Sequence, residues 1–298
     1  MNASLSVSIV IVTRNRSTIL AQCLRSVFMQ DYTPIEVIIV DNDSADDTIR
    51  MLASEYPSVI IIRQNKNMGA IEGRNIGVRQ AKGDLCVFID DDAEFTDSQA
   101  IRKSTEYFLH DDRLSCLSMR VIDATDRIAR KLIPRRDRRE ITDDSPAAMF
   151  VTTGCVIRRS AFMEAGGFWE ALTPYFGGEP ELSYRLLDVG YSILQTPHIT
   201  VRHFEVPIER DPSRRMYYGT RNTPWLALRN LPWYSVIGLT TLAWGYFFLV
   251  AARDRQIPVF FKAAIASIRQ WPAVYRIRKP IGPHAVAAIW KYSGLILF

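Results

Sequence analysis

The sequence predicts an α/β fold: a mostly parallel sheet flanked by helices, followed by a helical tail that is both hydrophobic and basic. Three observations carry this. Short β-branched runs alternate with helix-like stretches through the first hundred residues. A polar cluster follows each run, ending with three consecutive aspartates, Asp90-Asp91-Asp92. Near the C-terminus, residues 231–252 form a stretch of 22 residues without a charge.

Residues 7–12, 35–40, 59–62 and 85–89 read as strands, with helices over 17–29, 45–54 and 68–80 between them. Unbroken apolar runs, rather than alternating ones, mark strands covered on both faces, which is the signature of a parallel sheet. Residues 101–109 predict another helix and 114–121 another strand. Residues 123–146 are polar and carry Arg127, Arg130, Lys131, Arg135, Arg136, Arg138 and Arg139, as expected of a long functional or disordered loop. Strand character returns over 150–157. Residues 184–189 are helical with Gly190 suited to end them, and 193–194 and 199–204 close the body.

At 298 residues, 48% hydrophobic and 23% charged, the chain is globular rather than disordered, with room for a large domain and an appendage. The net charge of +5 is unevenly spread: residues 1–200 sum to −5 and residues 201–298 to +10. Cys23, Cys86, Cys116 and Cys155 are widely spaced in apolar surroundings and read as reduced residues of a cytosolic protein. The apolar run at 7–12 is too short for a signal peptide, so the mature chain is expected to start here.

In parallel sheets ligands bind beyond the carboxyl ends of the strands. There lie Thr13-Arg14-Asn15, then Asp41-Asn42-Asp43-Ser44, then Asn65 and Asn67, then Asp90–Asp92. Three crowded carboxylates repel one another, and a hard divalent cation relieves that cost. No Gly-x-Gly-x-x-Gly follows the first strand, which argues against a dehydrogenase, and no Walker loop is present. Gly69, Gly73 and Gly77 share one helix face and predict close packing on the sheet. Asp41 suits recognition of a base or ribose, whereas Asp43 and Ser44 equally fit a helix cap.

The ordered set of motifs resembles the family 2 glycosyltransferases. It comprises Ser8 to Arg16, Val40-Asp41-Asn42-Asp43-Ser44, Asn67-Met68-Gly69 with Arg74-Asn75 and Gly77, and Gly83-Asp84 leading to Asp90–Asp92. It continues with Gly154 to Arg158, Gly166-Gly167-Phe168-Trp169-Glu170, Phe176 to Arg185, Pro197 to His203 and Arg221-Asn222. The resemblance implies a GT-A, Rossmann-like fold over residues 1–225, with a nucleotide-sugar half (1–112) and an acceptor half (113–225), and leaves 226–298 as the tail. It implies inverting, metal-dependent transfer of a hexosyl or rhamnosyl unit from a nucleoside-diphosphate sugar to a glycan or lipid-linked acceptor. Mn²⁺ or Mg²⁺ is implied as cofactor, with Asp92, Asp90 and His203 as its ligands. Thr13, Arg14, Asn15, Asp41, Asn67, Arg74, Asp90, Asp91, Arg214 and Arg221 are implied to bind the donor. Gly154, Trp169 and Arg185 are implied to meet the acceptor. The family's catalytic aspartate aligns with Glu179, a departure that leaves Glu181 as a second candidate base. It also leaves open a catalytically impaired nucleotide-sugar-binding or scaffold protein at the membrane.

As a helix, residues 231–252 would extend about 33 Å, enough to cross a bilayer core. Arginines flank both ends, so charge gives no orientation. Beyond it Arg255, Lys262, Arg269 and Arg276 recur every seven residues, with Ile257, Phe261, Ile265, Ile268 and Trp271 largely on another face. This is the pattern of an interfacial helix, expected to break at Pro272. Attachment to the cytoplasmic face of the cell membrane is favoured over a spanning helix, and that over packing on the body. No nucleic-acid-binding module is recognisable, so no nucleic-acid partner is expected.

Overall fold

The apolar run after the N-terminus forms β1 (Val7–Thr13), and the helix after it, α1 (Ser17–Phe28), returns the chain to pair β2 (Ile35–Asp41) in parallel. The structure is a computed structural model and describes residues 4–135, 138–174, 176–205 and 212–293. The alternation continues through α2 (Thr48–Glu55), β3 (Ile60–Arg63), α3 (Gly69–Gln80) and β4 (Leu85–Ile89), all four strands running parallel in the order β3-β2-β1-β4. The expected parallel sheet holds for this half.

The second half is mixed. Short β5 (Ala93–Phe95) and α4 (Ala100–His110) precede β6 (Leu114–Asp123). After β7 (Ser145–Pro146) come β8 (Gly154–Arg158), α5 (Arg159–Glu164), α6 (Gly178–Val189) and β9 (Ser192–His203). β8 lies antiparallel between β4 and β6, β6 runs parallel to β9, and β5 and β7 run antiparallel to β9. The described residues thus form one nine-stranded sheet.

Alternate side chains of β1 divide the core. Ile9 and Ile11 pack with Leu20, Cys23 and Leu24 of α1, while Val10 faces Ile71 and Val78 of α3 on the other side. Gly73 and Gly77 of α3 pack on the sheet as their spacing predicts, whereas Gly69, at φ +79°, faces Pro174 instead. A Cβ at Gly73 would lie 2.7 Å from Val12 Cγ1, and one at Gly77 2.3 Å from Val10 Cγ1. Gly77→Ala is therefore expected to lose stability: overpacking costs about 1–3 kcal/mol against roughly 1 kcal/mol gained in helix propensity. Gly238→Ala, where a Cβ meets nothing within 4 Å, is expected to hold or gain stability. Denaturant unfolding of the two variants measures the difference.

Several boundaries differ from expectation. The 123–146 loop contains a 3₁₀ turn (Arg130–Leu132) and β7; Arg136 lies outside the described residues. Residues 150–153 precede rather than join β8. α6 begins six residues early, because Gly177 takes φ +95° and Pro180 falls in the first turn, where its missing N–H costs nothing. β9 is one strand with extra residues around Pro197, between the Ser118–Gln195 and Arg120–Thr200 pairs. The tail forms α7 (Pro212–Asn230), α8 (Trp233–Arg253), α9 (Ile257–Arg276) and α10 (Pro283–Ser293). α7 runs unbroken through residue 225. α9 continues through Pro272, against expectation, since buried Ala263, Ala264, Ser267 and Val274 hold it on the preceding helices.

Candidate functional site

Strand register assembles the site. β1 pairs with β4 as Val10 with Phe88, so three residues on Thr13 reaches Asp91, and its hydroxyl donates to Asp91 Oδ2 at 2.8 Å. β8 pairs with β4 as Gly154 with Ile89, which puts Thr153 beside Asp90; its hydroxyl donates to Asp90 Oδ2 at 2.9 Å. β5 pairs with β9 as Ala93 with His203, and His203 Nε2 lies 3.0 Å from Asp92 Oδ1.

The three aspartates divide their roles. Asp90, Asp92 and His203 each present a ligand atom within 4.8 Å of the others. Asp91 points elsewhere and joins Thr13 and Arg16. Arg16 Nη1 bridges Asp91 at 2.7 Å and Asp92 at 3.1 Å, and Arg74 Nη2 lies 2.7 Å from Asp90. Burial, assisted by the charge of Asp92, lifts the Asp91 carboxyl to about 6 despite Arg16 and Thr13. At Arg16 burial works against the charge, but Asp91 and Asp92 outweigh it and the guanidinium is held above its ordinary value. Burial likewise opposes protonation of His203, while the Asp92 hydrogen bond and the charges of Asp90 and Asp92 raise it overall. The residues fit a hard divalent cation. Two carboxylates and an imidazole are a suitable donor set, and buried His203 Nδ1 has no hydrogen-bond partner of its own.

Glu179 sits in the first turn of α6, half-buried, and accepts a hydrogen bond from Thr152 Oγ1 at 2.8 Å. Thr152 and Thr153 are adjacent and buried, so one dipeptide fixes Glu179 on one side and Asp90 on the other. Neither threonine carries a sequence signal. Arg16 ends the Ser8–Arg16 motif, but only the fold reveals that it spans two aspartates.

Four of the predicted site residues are engaged in structural contacts. Glu181 is fully buried, accepting hydrogen bonds from Arg185 Nε at 2.9 Å and Arg229 Nη1 at 2.6 Å, so it cannot meet an acceptor hydroxyl. Arg185 spends its guanidinium on Glu181 and on the carbonyls of Ala165 and Gly167 rather than on an acceptor. Arg221 donates to the carbonyls of Ala171 and Thr173 and stacks on Tyr218 and Trp225, which fastens α7 instead of gripping a donor. Gly154 is a packing residue: its absent Cβ would lie 2.9 Å from Val201 Cγ2.

The others make the following contacts. Asn15, at φ +52°, ties its loop to the next: its Oδ1 accepts from the Ala45 amide, and its own amide donates to Ser44 Oγ. Asn67 Oδ1 accepts from the Gly69 amide. Asp41 is wholly buried at the end of β2, one oxygen facing the Ser44 amide and the other without a hydrogen-bond partner. Arg14 follows β1, and Arg214 stands half-buried in the first turn of α7. Trp169 lies under the Arg229 guanidinium, 4.6 Å from its ring centroid.

A mixed sheet whose parallel strands end in a carboxylate cluster, with a half-buried glutamate linked to it through Thr152 and Thr153, is an architecture of the GT-A kind. The profile of Glycosyl transferase family 2 matches residues 8–166, more than half the chain, and the chain belongs to that family. It is similar to the uncharacterized glycosyltransferase YwdF of Bacillus subtilis, at 38% identity over 114 residues, 36% of this chain and 42% of that one. The chain thus spans less than half the length of that relative. The O-antigen chain rhamnosyltransferase RfbN of Salmonella typhimurium is 23% identical over 239 residues, 74% of each chain. Among solved structures, a mannosyltransferase from Pyrobaculum calidifontis, in complex with GDP-Man and Mn²⁺, superimposes with a TM-score of 0.59 at 17% identity. It covers 99% of this chain and 88% of its own. At that identity the likeness concerns the fold.

Proposed function

We propose that this protein is an inverting glycosyltransferase, moving a hexosyl or rhamnosyl unit from a nucleoside-diphosphate donor to a hydroxyl of a glycan or lipid-linked acceptor. It would act in cell-surface glycan synthesis at the cytoplasmic face of the membrane. The observation that carries this reading is the convergence of Asp90, Asp92 and His203 at the strand ends, joined through Thr153 and Thr152 to Glu179. The Salmonella relative, named for O-antigen chain synthesis, supports a glycan product, and the Pyrobaculum calidifontis complex with GDP-Man and Mn²⁺ supports a nucleotide-sugar donor with a divalent metal.

Asp92, Asp90 and His203 would hold Mn²⁺ or Mg²⁺, which when bound offsets the negative charge growing on the departing diphosphate. Arg74 orients Asp90, and Arg16 holds Asp91 and Asp92 in place. Thr13, Arg14 and Asp41 would contact the nucleoside, and Arg214, in the first turn of α7, would contact its phosphates. Glu179 takes the proton of the acceptor hydroxyl as that oxygen bonds to the anomeric carbon. The bond from that carbon to the diphosphate oxygen breaks on the opposite face, so the configuration inverts. The Thr152 hydrogen bond fixes one Glu179 oxygen, and the other would face the acceptor. Trp169 would meet the acceptor.

The experiment is a panel of nucleotide sugars with Mn²⁺ and extracted lipid-linked acceptors, read by release of nucleoside diphosphate and by the anomeric configuration of the product. One donor turned over with inversion supports the proposal. Binding of a nucleoside diphosphate without turnover of any donor would instead favour the scaffold alternative.

A further inference from the structure

Large hydrophobic residues are exposed in one region. Among the described residues, 14 of the 20 such side chains lie between Trp233 and Trp290, most of them on α8 and α9. α8 turns Val236, Leu239, Ala243, Phe247 and Ala251 inward along its whole length and presents Trp233, Tyr234, Ile237, Leu242, Tyr246 and Leu249 outward. α9 adds Phe261, Ile265 and Ile268, with Lys262 and Arg269 exposed beside them. An uncovered apolar face of this extent marks an interaction surface.

We infer that the outer faces of α8 and α9 form a single platform that lies in the interface of an anionic bilayer, with α8 in the membrane plane rather than across it. This deepens the membrane reading given under the proposed function and rests on it. The charge identifies the occupant. From residue 231 onward the chain has one acidic residue, Asp254, against eight basic ones: Arg253, Arg255, Lys262, Arg269, Arg276, Arg278, Lys279 and Lys291. A second copy would present the same sign and be repelled, whereas anionic headgroups attract it. Trp and Tyr beside aliphatic residues suit the boundary between headgroups and acyl chains.

The packing decides the orientation. α8 is long and apolar enough to cross a membrane, but it is bound to its neighbours. Trp244 Nε1 donates to the Thr220 carbonyl of α7 at 3.0 Å and its ring stacks on Trp271 of α9. Trp225 Nε1 of α7 donates to the Ser267 carbonyl of α9 at 3.0 Å. α7 in turn is fastened to the catalytic body, through Asn222 to the Leu172 and Phe176 carbonyls and through Arg229 to Glu181. A spanning α8 would drag Arg221 and Arg229 of α7, and Lys262 and Arg269 of α9, toward the hydrocarbon, where charge is costly.

The test is flotation of the full chain with phosphatidylcholine vesicles, with and without phosphatidylglycerol. Binding is expected only to the anionic vesicles, reversed by high salt and by alkaline carbonate. The triple variant Lys262→Gln, Arg269→Gln, Arg276→Gln should bind about 100-fold more weakly. Ile237→Ser with Leu249→Ser should also bind more weakly, with thermal unfolding of both variants near that of the parent. Equal binding to neutral vesicles, retention after carbonate, or concentration-dependent dimers that ignore vesicles would each overturn the inference. Nucleoside-diphosphate binding in vesicle-free solution is read separately, so failure of the transferase reading is distinguishable from failure of this one.

Discussion

Glu179→Gln is expected to lower kcat for sugar transfer by about 10²–10⁴-fold, the usual contribution of a positioned general base. The amide keeps the size of the side chain and can still accept from Thr152 Oγ1, so α6 and the acidic cluster should remain as they are. Affinity for the nucleoside diphosphate should change little, because Glu179 bonds to none of Asp90, Asp92 and His203 directly. A fall in kcat with intact nucleotide binding identifies the base. Parallel loss of both would mean that Glu179 supports the donor site instead.

The second large effect concerns the neighbouring glutamate. Glu181→Ala is expected to destabilise the protein by about 3–5 kcal/mol, the cost of breaking a buried ion pair from one side. The substitution strands Arg185 and Arg229 around a site that is wholly buried. Burial already presses the Arg229 guanidinium below its ordinary value, with Glu181 as its counterweight. The loss should appear as a lower midpoint in denaturant unfolding, whereas Glu179→Gln should leave that midpoint nearly unchanged. The pair of variants therefore separates two glutamates that lie two residues apart in the same sequence motif.

Much of the first half was legible because local and global signals agree there. Predominantly apolar runs define β1, β2 and β4 to within a residue, and the Gly73, Gly77 spacing anticipates the α3 contact with the sheet. The Asp90–Asp92 cluster stood out because no core function explains three carboxylates at the end of a buried strand. What stayed hidden depends on contacts across the sheet. Glu181 and Glu179 differ only in which way α6 faces, and the arginines that neutralise Glu181 come from one turn further along α6 and from α7, 48 residues away. Arg221 looks like a ligand in sequence, but Tyr218 and Trp225 form a stack around it that only the α7 helix reveals. Pro272 argues against a helix that tertiary packing maintains. Thr152 and Thr153 acquire a role only through the register of β8 against β4.

The most direct measurement is calorimetric titration of the protein with UDP, GDP and dTDP, each with Mn²⁺ and with chelator, repeated on Asp92→Ala. The account predicts that one of the three binds with Mn²⁺, weakens sharply in chelator, and loses its metal dependence in the variant. Binding that is equally strong without metal, or unchanged by Asp92→Ala, would contradict the assignment of the acidic cluster to a cation that receives the departing diphosphate.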